Sequence, residues 1–81
     1  MPTIRGAFGP YRFFFVSFDC CEPVHVHVQR ERSLCKYWMT PLALASNHGF
    51  SAVELNAIRK LIESNRTTIL EAWNEHCGSR R

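Results

Sequence analysis

Pro23-Val24-His25-Val26-His27-Val28 decides how the rest of the chain is read. Valine and histidine alternate one by one, and side chains alternate across a β-strand, so Val24, Val26 and Val28 face a core while His25 and His27 share the opposite, exposed face. Two imidazoles two residues apart on one strand face stand about 7 Å from each other. An antiparallel strand with one apolar and one polar face belongs to a sheet covered on one side only.

Outward from this strand, Tyr11 to Asp19 reads as a first strand. It is preceded by Gly6 and by the turn-forming pair Gly9-Pro10, and it is dense in Phe13, Phe14, Phe15, Val16 and Phe18. Those apolar residues do not alternate, which places the strand centrally with both faces largely covered. Asp19 to Pro23 forms the turn into the second strand, about Val24 to Gln29. The polar stretch Arg30-Glu31-Arg32-Ser33 turns the chain into a third strand, Leu34 to Thr40, in which Lys36 and Trp38 alternate with Cys35, Tyr37 and Met39. Pro41 ends that strand, Leu42-Ala43-Leu44-Ala45 suggests a short helical turn, and Asn47-His48-Gly49 breaks it.

Ser51-Ala52-Val53-Glu54 is a capping box, with Phe50 and Leu55 at the positions of a hydrophobic staple. Helical spacing of Val53, Ala57, Ile58, Leu61 and Ile62, and then of Ile69, Leu70 and Trp73, predicts two helices, about Ala52 to Ser64 and Thr68 to Cys77. Ser64-Asn65-Arg66-Thr67 separates them and Gly78 stops the second. The expected fold is α+β: a three-stranded antiparallel meander followed by two C-terminal helices packed on one face, in a single domain over residues 1–81. Trp38 and Trp73 are expected in its core.

Eighty-one residues give one compact core, and an apolar share of 46% is that of a folded chain. A net charge of +3, part of it from Arg80-Arg81, points only faintly to nucleic acid. No signal-like or membrane-length apolar run is present, so a cytoplasmic protein without a membrane segment is expected. In that reducing setting Cys20, Cys21, Cys35 and Cys77 read as free thiols.

Taken together, Met1-Pro2-Thr3-Ile4, Gly9-Pro10-Tyr11-Arg12-Phe13-Phe14-Phe15, Glu22-Pro23, His25-Val26-His27-Val28, Lys36-Tyr37-Trp38, Asn47-His48-Gly49-Phe50-Ser51 and Leu70-Glu71-Ala72-Trp73-Asn74 resemble a small bacterial family of unknown function, family 4160 of such domains. The resemblance covers nearly the whole chain. It implies a member of a toxin–antitoxin or stress-response pair whose partner protein is encoded by a neighbouring gene. The family pattern has a second proline where this chain has Val24. It has a glycine or other turn former where this chain has Arg30-Glu31-Arg32-Ser33.

The histidine pair admits three chemistries. In the first the protein is an interaction module, binding a partner protein, a second copy of itself or RNA through its sheet face and edge strand. In the second it is a small metal-independent ribonuclease: His25 and His27 act as base and acid on an RNA 2′-OH, and Arg12 and Lys36 steady the phosphate. In the third, His25 and His27 supply half of a tetrahedral metal shell that Asp19, Cys20, Cys21 or Glu22 completes. A structural pair of half-exposed histidines is the alternative to all three. The register decides among them, through whether Arg12, Lys36 and the Asp19 to Glu22 turn share the histidine face.

Overall fold

The computed structural model describes residues 3–4, 8–16 and 19–77. Its order is β1 (Arg12–Phe14), a single 3-10 turn (Asp19–Cys21), β2 (His25–Arg30), β3 (Ser33–Met39), β4 (Leu42–His48), α1 (Ala52–Ser64) and α2 (Arg66–Cys77). The four strands form one antiparallel sheet in the order β1-β2-β3-β4. The α+β class and the two C-terminal helices stand as expected, but the sheet has four strands rather than three.

The added strand is β4, where a helical turn was expected at Leu42 to Ala45. Leucine and alanine are good helix formers, yet four residues cannot carry the cost of nucleating a helix alone, and pairing with β3 satisfies their backbone instead. A register shift at Lys36/Tyr37 leaves Ala45 as an extra residue, because Ser46 lies opposite Lys36 and Leu44 opposite Tyr37. The bulge keeps Leu42, Leu44 and Asn47 on the same side. Thr40 and Pro41, joined by a cis peptide, make the turn between β3 and β4.

β1 is shorter than the expected Tyr11 to Asp19, and it is an edge strand, where a central one was expected. Thr3 bridges to Phe14 on its outer side. Ser17, Phe18, Gly6, Gly78 and the Arg80-Arg81 pair lie outside the described residues.

One sheet face is sealed by the helices. Phe13, Phe15, Val26, Val28, Cys35, Tyr37 and Met39 meet Ile58 and Ile62 of α1 and Ile69 and Trp73 of α2 in a single cluster. Val24 packs on its margin. The Tyr37 hydroxyl, carried into this layer, donates to the Leu55 carbonyl at 3.0 Å, which meets the hydrogen-bonding need of a buried phenol. Burial pushes the Cys35 thiol up to about 12, and raises Tyr37 by the same desolvation with the Cys35 charge adding to it. Cys35 is therefore an inert core thiol at neutral pH.

The capping box forms as read: Ser51 Oγ accepts from the Glu54 N–H at 3.2 Å and Glu54 Oε1 accepts from the Ser51 N–H at 3.3 Å. The break between helices is narrower than the expected polar tetrad. Asn65 alone interrupts them, its side chain donating to the Leu61 carbonyl at 2.9 Å while its own carbonyl accepts from the Ile69 N–H. α2 accordingly starts at Arg66 rather than Thr68.

The β2–β3 turn bears the mark of its sequence. Glu31 sits at φ 54°, the left-handed region that costs a side-chain-bearing residue roughly 1–2 kcal/mol. Gly49, at φ 102°, is needed for a further reason: a Cβ there would lie 2.8 Å from Ser33 Oγ.

Candidate functional site on the open sheet face

The uncovered face is built by register. Phe14 lies opposite His27, His27 opposite Lys36, His25 opposite Trp38, and Arg12 opposite Gln29. Directly opposed residues point to the same side of a sheet, so Arg12, Phe14, His25, His27, Gln29, Lys36 and Trp38 form one surface across three strands. Arg12 and Lys36 thus share the histidine face.

These side chains touch in sequence. The Arg12 guanidinium lies 4.8 Å over the Phe14 ring, and its Nη1 donates to Gln29 Oε1 at 3.3 Å while Nε donates to Thr3 Oγ1 at 3.1 Å. Phe14 stacks on His27 with centroids 5.3 Å apart, and His27 meets His25 edge-on at 5.0 Å. His25 meets Trp38 at 5.4 Å, and the Lys36 ammonium lies 4.5 Å over the Trp38 ring. Aromatic faces attract cations through their quadrupole, so the rings and the two basic groups hold one another in place.

The two histidines differ in a way the alternation does not reveal. His27 is half-buried on the face, whereas His25 is 0% exposed, contrary to the expected pair of exposed imidazoles. The cause is α2: beyond the last paired residue of β1, Trp73 comes against the His25 ring at 5.3 Å while also meeting Phe15 edge-on. His25 Nδ1–H donates to the Pro23 carbonyl at 2.8 Å, which fixes the ring's tautomer and orientation. Trp73 is core as expected. Trp38 stays half-buried on the open face.

The turn before β2 also reaches this face. Glu22 Oε1 accepts from the Lys36 ammonium at 2.6 Å and lies 3.8 Å from His25 Nδ1. For a metal held by His25, His27, Asp19 and Glu22, the Glu22 carboxylate is thus engaged by Lys36 and the His25 Nδ1 by Pro23. The Asp19 side chain lies outside the described residues. Among the described residues, the group of three metal-ligand side chains whose donor atoms approach one another is a different one, Cys20, His76 and Cys77.

The cysteines correct a further expectation. Cys20 and Cys77 form a disulfide across a sequence separation of 57, and only Cys21 and Cys35 are free thiols. The fold brings the end of α2 onto the 3-10 turn, a proximity that sequence spacing does not encode. Sequence reasoning also missed Phe14 and Gln29 as members of the face. The period-two spacing of Gln29 from His27 was the available signal for one of them.

No helix among the described residues is long and apolar enough to cross a membrane. A family model described as a domain of unknown function, DUF4160, matches residues 11–74. No curated protein and no solved structure matches the chain. The matched span holds the whole open face, while His76 and Cys77 lie beyond it.

Proposed function

The chain belongs to the DUF4160 family, whose function its name leaves open, and from the chemistry of its open sheet face we propose that it binds single-stranded RNA without cleaving it. The observation that carries the reading is the shared register of Arg12, His27, Lys36 and Trp38, with the buried Phe14 ring supporting Arg12 and His27 from beneath. Single-stranded nucleic acid is held by rings that stack on bases and cations that meet phosphates, and a sheet face is a frequent platform for both. From Arg12 on β1 to Lys36 on β3 the face spans two strand spacings, ~10 Å, room for a short stretch of single strand. Gln29 and His27 add hydrogen-bonding groups suited to a 2′-OH.

Binding is favoured over hydrolysis by the burial of His25. An acid–base pair needs both imidazoles at the reacting phosphate, and His25 is enclosed by His27, Trp38 and Trp73. His25 serves here as the positioning residue of His27. The test is fluorescence anisotropy with labelled single-stranded RNA, the same sequence as DNA, and an RNA duplex. Trp38→Ala is expected to weaken RNA binding by about tenfold, from the usual worth of one stacked base. Arg12→Ala with Lys36→Ala is expected to flatten the salt dependence. Unchanged affinity in these variants overturns the reading, and RNA cleavage lost in His25→Ala/His27→Ala would establish the ribonuclease instead.

A second reading concerns β4. Leu42-Ala43-Leu44-Ala45-Ser46-Asn47-His48 is an edge strand with no proline, lysine or acidic residue to guard it, and its bulge at Ala45 leaves the stretches on either side to offer an edge. Leu44 is 43% exposed on the helix side and Val53 of α1 is 81% exposed. This supports strand addition by a partner protein, the neighbouring gene's product that membership of a toxin–antitoxin pair would supply. Co-expressed with that product, the protein is expected to elute as a stoichiometric complex that Ser46→Pro abolishes. A complex that survives Ser46→Pro, or a stable homodimer that leaves the product unbound, overturns it.

A further inference from the structure

The 3-10 turn and the end of α2 carry a cluster that neither the open face nor the β4 edge uses. Cys20, in the 3-10 turn, is disulfide-bonded to Cys77, the last residue of α2, with Cα atoms 5.4 Å apart. His76 stands beside them, and one donor atom from each of the three lies within 4.8 Å of the others. All three residues are half-buried, within reach of solvent and small ions.

His76 is held as a metal-ligating histidine is held. Its Nε2–H donates to the Val16 carbonyl at 3.1 Å and its ring stacks on Phe15 with centroids 5.6 Å apart and planes at 17°. A carbonyl accepts only, so the proton of the neutral ring is on Nε2 and the lone pair on Nδ1. A backbone carbonyl on one ring nitrogen is the arrangement that orients imidazole ligands.

We propose that Cys20, His76 and Cys77 form a zinc site when the disulfide is reduced, with water in the fourth position, so that the same three residues alternate between a covalent and a metal crosslink. Zinc–sulfur bonds of about 2.3 Å in a tetrahedral shell require the sulfurs to separate to about 3.8 Å. Two thiolates and one neutral imidazole suit zinc better than calcium or magnesium, which take oxygen ligands. The oxidant is hydrogen peroxide. One zinc-bound thiolate attacks a peroxide oxygen, giving a sulfenic acid and hydroxide. The other thiolate then attacks the sulfenic sulfur, forming the S–S bond and expelling a second hydroxide as zinc leaves. Two electrons pass from the sulfurs to peroxide, and two protons convert the hydroxides to water. A dithiol reductant reverses the exchange through a mixed disulfide.

The experiment uses the full chain, purified without chelator or histidine tag and reduced with a phosphine. Zinc titration against a chromogenic chelator is expected to give one equivalent per chain, and cobalt substitution a sulfur-to-metal charge-transfer band with tetrahedral visible bands. Peroxide is expected to release one zinc for each disulfide formed. Cys77→Ser should lose the stoichiometric site, whereas Cys21→Ser and His25→Ala/His27→Ala should keep it. His76→Gln, which retains both thiols but removes the imidazole ligand, is expected to weaken zinc by more than the roughly tenfold that losing an outer hydrogen-bond partner of a ligand alone costs. The inference is overturned if the reduced wild-type chain takes up no zinc, if Cys77→Ser keeps its full equivalent, or if the zinc disappears in the His25/His27 double variant instead.

Discussion

Replacing Trp73 by alanine is expected to remove about 3–5 kcal/mol of stability, the range for truncating a buried large aromatic side chain. Total stability of a small domain is about 5–15 kcal/mol, so this one change takes a large share of it. Trp73 is 8% exposed, and its ring touches Phe15 on the helix side of the sheet and His25 at the end of the histidine row. Its loss opens a void where α2 reaches His25. Urea unfolding followed by circular dichroism measures the cost, and carbodiimide-free modification of histidine with diethylpyrocarbonate measures the exposure of His25. Trp38→Ala is the control, because Trp38 is half-buried on the open face and has less contact to lose. Equal costs for the two tryptophans would show that α2 does not seal His25.

Reduction of the Cys20–Cys77 disulfide in metal-free buffer is expected to cost about 4 kcal/mol, the chain-entropy value for a loop closed across a separation of 57 residues. In a domain of this size each kcal/mol moves the thermal midpoint by about 4–8 °C, so the midpoint should fall by roughly 15–30 °C. Scanning calorimetry of the oxidised chain, the chelated reduced chain and Cys77→Ser checks it. The last two should agree. A midpoint indifferent to reduction would mean that the end of α2 is held on the 3-10 turn by packing alone.

Much of this fold was legible because local rules and tertiary packing agree. The capping box at Ser51, the valine alternation in β2 and the alternation of Lys36 and Trp38 with Cys35, Tyr37 and Met39 each place a residue where the structure has it. β4 was misread because Leu42-Ala43-Leu44-Ala45 satisfies helix propensity while also alternating with period two, and the choice is made by hydrogen bonds to β3 that no local signal announces. The bulge at Ala45 then shifts the phase, so that Asn47 rather than Ser46 joins Leu42 and Leu44 on the helix side.

The candidate site shows the same division. That His25 and His27 share a side, and that Lys36 and Arg12 can join them, follows from strand periodicity once the register is known. Register depends on turn lengths, and the β2–β3 turn is closed by Glu31 at positive φ rather than by a glycine. The burial of His25 depends on Trp73, 48 positions along the chain by the sequence numbering. The same remoteness hides the disulfide: Cys20 and Cys77 have no spacing motif, and only the folding of α2 back across the sheet makes them neighbours.

The disulfide has a mechanical consequence. It closes a covalent ring that encloses β2, β3, β4, α1 and α2 and leaves β1 outside. Tension applied between the two termini of the oxidised chain passes through the Cys20–Cys77 bond, so only the segments before Cys20 and after Cys77 can be drawn out. The first casualty of such a pull is β1, which takes Arg12 and Phe14 with it and leaves His27, Lys36 and Trp38 on a three-stranded remnant. Once the bond is opened, the enclosed segment is free to extend by up to about 3.3–3.6 Å per residue, and force reaches every strand of the sheet.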